Sequence, residues 1–138
     1  MTSVTTALTR DECWERLRSE VVGHLAFTRR AMPMIRPMRY VVAGQHLLLL
    51  APSDELAEQV DGQVVAFEID KVDDVGGCGW SVVALGTARL VQDPGDIARV
   101  GAYPVASWSG VDHPSRVLLT VGELSGRLIL PRQPAGVS

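Results

Sequence analysis

Val22-Gly23-His24-Leu25-Ala26-Phe27-Thr28, Met34-Ile35-Arg36-Pro37-Met38-Arg39-Tyr40-Val41-Val42 and Gln45-His46-Leu47-Leu48-Leu49-Leu50-Ala51 follow one another with breaks at Arg29-Arg30-Ala31 and Ala43-Gly44. Each run is short and rich in apolar residues, and the helical spacing found upstream ends at Gly23, so all three read as strands. Three strands in succession predict an antiparallel meander. Upstream, Thr9 is placed to cap a helix and Glu12, three residues on, to return a hydrogen bond to the cap. Cys13, Leu17 and Val21, with Trp14 beside them, form the apolar stripe of that helix.

Downstream, Pro52-Ser53 stops the third strand, and Ser53 can cap a short helix through Val60 that ends at Asp61-Gly62. Gln63 to Lys71 reads as a fourth strand, with Val65, Phe67 and Ile69 alternating with Val64, Ala66 and Glu68. Val72 to Gly77 is a loop, and Trp80 to Val91 a long fifth strand. A further helical piece is expected from Asp93-Pro94 towards Tyr103, then an ordered loop from Val105 to Ser115. Arg116 to Leu124 and Arg127 to Leu130 read as a terminal hairpin turning at Ser125-Gly126, followed by a frayed tail, Pro131 to Ser138. Seven strands and three short helices without a strand-helix rhythm point to a mainly β fold, an antiparallel barrel or sandwich.

The 138 residues suit one domain, 1–138, with the barrel over about 8–130. Apolar residues at 46% and charged residues at 21% exclude a disordered, collagen-like or coiled-coil chain. The longest apolar run, Leu47 to Pro52, is far below the roughly 18 residues of a spanning helix, and Met1 to Leu8 lacks a signal-peptide pattern, so the expected compartment is the cytoplasm. Thirteen basic against sixteen acidic residues give a net charge of -3, which leaves no electrostatic footprint for nucleic acid or an anionic membrane. Any bound anion must be caught locally.

Most candidate chemistry falls away on spacing. His24, His46 and His113 lie in different elements with no ligand-spaced partner, and Cys13 and Cys78 form neither a metal nor a redox pattern, so no metal site is expected. Ser81, Ser107 and Ser109 lack a nucleophile elbow. Gly76-Gly77-Cys78-Gly79 leads into a strand and lacks the lysine of a phosphate loop, and Asp70, Asp73 and Asp74 read as a solvated acidic loop. Two segments remain. Arg36 and Arg39 stand at odd spacing in one strand, hence on opposite faces, where one can meet an anionic ligand or both can serve an edge or interface. Trp80-Ser81-Val82 opens a strand after glycines; the indole either covers a planar ring or packs in the core.

Taken in order, Glu12-Cys13-Trp14-Glu15-Arg16-Leu17, Val22 to Phe27, Pro37-Met38-Arg39-Tyr40, Val65 to Asp70, Gly79-Trp80-Ser81-Val82 and Leu124-Ser125-Gly126-Arg127 resemble the pyridoxamine 5'-phosphate oxidase-like flavin-binding split barrels. The resemblance runs from about Leu8 to Leu130. It implies a six-stranded antiparallel split barrel with short peripheral helices, a homodimer, and FMN in two equivalent grooves where the subunits meet. Arg36, Pro37, Met38 and Arg39 are then expected along the flavin. Trp80, Ser81 and Val82 approach its ring system, with the indole at the groove wall because the preceding glycines let the chain turn sharply. The phosphate falls to the segment after the third strand, where the family pattern has a threonine and then Gly-Ser/Thr-Lys. Here that segment reads Ala51-Pro52-Ser53-Asp54-Glu55: Ala51 replaces the hydroxyl-bearing residue, Asp54 or Glu55 stands where lysine is expected, and Ser53 remains as a cofactor-binding residue.

A carboxylate about 5 Å from a phosphate repels each of its charges by roughly 3 kcal/mol at an effective dielectric of 20. The sequence therefore predicts a weakened FMN phosphate site, with Arg36 or Arg39 as the compensating cation. Two functions follow: a flavin-dependent oxidoreductase transferring hydride to or from a small substrate, or a non-catalytic binding or regulatory module that has lost FMN and holds a deazaflavin, haem or other ligand in the same groove.

Overall fold

The computed structural model describes residues 4–93, 95 and 115–130, ordered as β1 (Val4–Ala7), α1 (Arg10–Ser19), β2 (Val22–Arg29), β3 (Met32–Ala43), β4 (His46–Ala51), α2 (Asp54–Val60), β5 (Val64–Val72), β6 (Gly79–Leu90) and β7 (Ser115–Leu130). The ladder runs β1-β7-β4-β3-β2-β5-β6, and β6 pairs back onto β7. Every pairing is antiparallel. Six strands thus close a ring, with β1 added outside it along the end of β7. Closure removes the open sheet edges that would otherwise invite association by strand pairing.

The period-2 alternation decides what fills the ring. Leu25 and Phe27 of β2, Met38 and Tyr40 of β3, Leu47 and Leu49 of β4, Val65, Phe67 and Ile69 of β5, and Val82 and Ala84 of β6 are buried in one cluster. Leu48 and Leu50 point the other way, yet they are buried too, with Val91 and Leu118, in a second cluster outside β4 and β7. Apolar groups covered on both faces explain why four leucines run consecutively in β4.

α1 plugs one end of the barrel. Its capping box forms as the sequence requires: Glu12 N–H donates to Thr9 Oγ1 at 3.2 Å, and Thr9 N–H donates to Glu12 Oε1 at 3.0 Å. Cys13, Trp14 and Leu17 are buried beneath it, and the Tyr40 hydroxyl donates to the Leu17 carbonyl at 2.5 Å, tying the helix to β3. Val21, expected in the stripe, lies beyond the helix and is exposed. α2 stacks Leu56, Ala57 and Val60 against the same core, capped by Ser53 as expected.

Two expectations fail. Arg116 to Leu130 is not a hairpin: β7 is continuous, and Ser125 and Gly126 pair with Val83 and Val82 of β6. Gly126 serves close packing instead, since a Cβ there would lie 2.7 Å from Cys13 Sγ and 3.0 Å from Leu8 Cδ1. β1 precedes the expected start of the fold and extends the sheet by pairing Val4 to Ala7 with Leu130 to Arg127. The helical piece after Asp93, most of the Val105–Ser115 loop and the tail lie outside the described residues.

Candidate functional site: the barrel mouth beside α2

Along β3, Met38 and Tyr40 point inward, and Arg36 shares their parity two residues before Met38. It stands across from core Leu25, with Met34 packed on the core beyond it, yet it is exposed and lines the mouth. There Arg36 meets Ser53, with Phe27, Arg29, Met34 and Glu55 among the other walls of a cavity of about 180 Å³. Arg36 Nη1 donates to the Ile35 carbonyl at 3.0 Å. Ser53 Oγ accepts from the Leu56 amide at 3.2 Å, which leaves the hydroxyl proton available to a ligand. The two carboxylates predicted at the phosphate position part company. Glu55 lines this cavity, whereas Asp54 accepts a hydrogen bond from Ser115 and lines a neighbouring pocket with Glu58.

The β2–β3 turn carries two further cations. Arg30 and Ala31 have φ of 50° and 63°, the left-handed pair of a tight hairpin turn, without the glycine or asparagine such turns favour. Each costs about 1–2 kcal/mol relative to an ordinary backbone conformation. Gln63 clamps the base of this hairpin: its amide nitrogen donates to the Thr28 carbonyl at 2.9 Å and the Gln59 carbonyl at 2.7 Å, and its oxygen accepts from the Thr28 amide. Arg29 and Arg30 form no ion pair with the described residues. They line a second cavity, of about 320 Å³, with Glu55 and Gln59. The sequence reading took Arg29-Arg30-Ala31 only as a break. Its signal was available: two arginines at a turn that lacks the usual turn residues.

Arg39 points away from this mouth, as its odd spacing from Arg36 requires. It stands on the outer sheet face in register with Val22 on one side and Leu50 on the other, and Leu50 in turn pairs with Arg116. Both arginines keep a buried Nε with no hydrogen-bond partner. Pro37 and Ser81 share the outer face, whereas Met38 and Val82 point into the core.

Trp80 does not stand free at a groove wall. It is 7% exposed, belongs to the core, and is covered by Arg16, whose guanidinium carbon lies 5.2 Å from the ring centroid. Strand parity puts it on the same side as Val82 and Ala84, and the glycine before it serves strand approach: a Cβ on Gly79 would lie 2.5 Å from the Lys71 carbonyl oxygen. The remaining ring edge borders an open groove with Cys78 and Leu128.

On the outer face between Arg39 and Ser81 lies a group the sequence reading missed. His24 is in register with Glu68, with Nδ1 3.7 Å from Glu68 Oε1. Burial, then a hydrogen bond to Asp70 and the charge of Asp70, push the Glu68 carboxyl up to about 7. The alternation in β5 placed Glu68 outward, but nothing in the local sequence showed how far the neighbouring strands would screen it from water.

Residues 9–128 match the family described as pyridoxamine 5'-phosphate oxidase. The chain belongs to that family. A curated relative, an uncharacterized protein of Mycobacterium tuberculosis, is 40% identical over 98 residues, a match covering 67% of this chain and 64% of the relative. Among solved structures, the FAD binding protein of Mycobacterium smegmatis is 29% identical with a TM-score of 0.75, covering 92% of this chain and 98% of that one. A conserved protein of unknown function from Corynebacterium diphtheriae is 28% identical with a TM-score of 0.76, covering 91% and 98%. No helix among the described residues is long and apolar enough to cross a membrane.

For a pyridoxamine 5'-phosphate oxidase family member, the mouth bears directly on the missing lysine. Two arginines, Arg29 and Arg36, share the first cavity with a single carboxylate, Glu55, and Arg30 stands beside the second. Positive charge outnumbers negative, so the residues present fit a phosphate ester better than the segment Ala51–Glu55 alone predicts. The cavity itself is smaller than the roughly 300 Å³ at which ligand pockets begin. Its volume of about 180 Å³ suits a phosphate-sized group more than a whole nucleotide.

Proposed function

We propose that this protein binds a flavin nucleotide, with its phosphate end at the barrel mouth, and acts as a homodimeric flavin-dependent oxidoreductase on a small substrate. One observation carries the reading: Arg36 and Ser53, assigned to the cofactor from separate segments of the sequence, line one cavity beside Arg29. The chain's 29% identity to the FAD binding protein of Mycobacterium smegmatis supports it.

In this reading a bound flavin supplies hydride transfer, and the protein supplies binding, orientation and exclusion of water. Arg36 and Arg29 would hold the flavin phosphate by charge-assisted hydrogen bonds, and Ser53 would donate its hydroxyl proton to it. Arg39 on the outer face of β3 would supply a positive charge, and Ser81 and the backbone of β6 would supply hydrogen bonds from the other side. Glu68, protonated over much of the range below neutrality, can donate a proton to an acceptor on the same face. A second subunit laid over that face would complete the enclosure that a single chain lacks.

Flavin fluorescence titrations of the purified protein test the reading. FMN should bind and lose fluorescence, and Arg36→Ala should weaken FMN at least tenfold while changing riboflavin, which has no phosphate, much less. Absence of binding by FMN, FAD and riboflavin alike overturns it.

A further inference from the structure

The open groove beside Trp80 takes no part in the flavin reading. At about 440 Å³ it exceeds both cavities of the mouth and falls in the roughly 300–1,000 Å³ range of small-molecule sites. It lies at the other end of the barrel. The mouth takes Phe27 and Arg29 from the end of β2, whereas the groove takes Lys71 and Val72 from the end of β5, which runs antiparallel to β2. Its side chains also turn away from those assigned to the cofactor. Lys71, Trp80 and Leu128 stand in register across β5, β6 and β7, in one row on the face opposite Ser81.

That row sets an ammonium, an indole and an aliphatic side chain side by side, spanning about 10 Å at the usual separation of three strands. Arg16 covers the Trp80 ring, its guanidinium carbon 5.2 Å from the centroid, and leaves an edge to the groove. A ring edge carries the positive part of the aromatic quadrupole and therefore takes the face of a second aromatic ring. Val72, 55% exposed, extends the apolar wall. Lys71 is the available cation: Glu20 Oε2 stands 3.6 Å from Nζ, beyond hydrogen-bond length, and a surface pair of this kind is worth little. The carboxylate on the rim, Asp73, is engaged by its own loop, since it accepts from the Val75 amide at 3.0 Å. From this row we infer that the groove is a second ligand site, for a small aromatic carboxylate whose ring lies against the Trp80 edge and Leu128 and whose carboxylate meets Lys71. The inference stands apart from the flavin reading.

The groove carries its own reporter. Cys78 lines it and is exposed, whereas Cys13, the other thiol of the chain, is fully buried. The experiment uses 2-naphthoate and its neutral amide, 2-naphthamide, as probes, with calorimetry for affinity and mass spectrometry for the rate at which iodoacetamide alkylates Cys78. Saturating naphthoate should slow that alkylation at least fivefold, and naphthoate should bind at least tenfold more tightly than the amide. Lys71→Met should weaken naphthoate about tenfold and leave the amide within about twofold. Val72→Asp, at an exposed position, should weaken both probes at least tenfold without lowering the melting temperature. FMN should not displace naphthoate. Absence of naphthoate binding at millimolar concentration would overturn the inference. So would binding that leaves Cys78 alkylation unchanged, that FMN displaces, or that Lys71→Met does not weaken.

Discussion

Ala31 holds a φ of 63° with a side chain that disfavours it. Glycine relieves that conformation, though the unfolded chain gains freedom in exchange, so Ala31→Gly should stabilise the fold by a net of about 0.5–1 kcal/mol. A thermal melt reads this as a rise of a few degrees, and a fall would mean that the turn is not strained. Glu55 is a second residue with a definite sign. It is the carboxylate that lines the mouth, while Asp54 is held by Ser115, so Glu55→Lys should strengthen FMN binding well beyond riboflavin binding and well beyond the effect of Asp54→Lys. Equal gains from the two lysines would show that both positions reach the phosphate. Glu68 governs pH dependence. Its carboxyl binds a proton more tightly folded, at about 7, than unfolded, at roughly 4.3. The stabilisation from that proton is complete below the unfolded value and is lost as pH rises through about 7. Glu68→Gln mimics the neutral form throughout, so its melting temperature should match the wild type near pH 4 and exceed it at pH 8. At this scale the opposite facing of Arg36 and Arg39 and the helix cap at Ser53 were legible, because parity and capping are local rules. For Trp80 the sequence left groove wall and core packing open; its parity with Val82 and Ala84 turns it inward, while one edge still borders a groove.

Among the elements, β7 shows where local rules stop. Ser125-Gly126 has the composition of a turn, yet the partner strand β6 runs alongside without interruption, and α1 presses onto the ladder at that point. A glycine chosen for close approach and one chosen for a turn look alike in sequence. The helices and the central strands were legible because their signals, a capping box and a period of two, lie within the element itself. β1 was not, since four residues acquire strand character only through pairing with the end of β7. Gly126→Ala separates the two roles. In a turn the change would matter through the backbone alone; here the added methyl meets Cys13 and Leu8, so α1 must shift and stability should fall by about 1–3 kcal/mol. Urea denaturation with near-ultraviolet dichroism of Trp14 and Trp80 would follow both the loss and the loosening of α1, and an unchanged midpoint would show that the helix yields freely.

On the scale of the molecule, the closed ring leaves an outer sheet face that a lone chain does not explain. Across β3, β2, β5 and β6, Ile35, Ala26, Ala66 and Leu85 lie in one cross-strand row, with Pro37, His24, Glu68 and Val83 in the next. Ile35 is 64% exposed and Leu85 37%. Small residues between apolar rims make a shallow surface of the kind that marks an association site. The outward groups proposed for the cofactor, Arg39 and Ser81, border it. An isologous pair docked there would cover these residues in both subunits at once, which is the arrangement the resemblance implies. Ile35→Asp puts two carboxylates into that contact and removes nothing from the barrel core. Sedimentation velocity at micromolar concentration should therefore show a wild-type dimer and an Ile35→Asp monomer of nearly unchanged melting temperature. In the proposed reading a second subunit completes the enclosure of the ring system, so flavin affinity should fall with the dimer. If the variant remains dimeric, the subunits meet elsewhere; if it is monomeric and binds flavin at full strength, one chain suffices for the site.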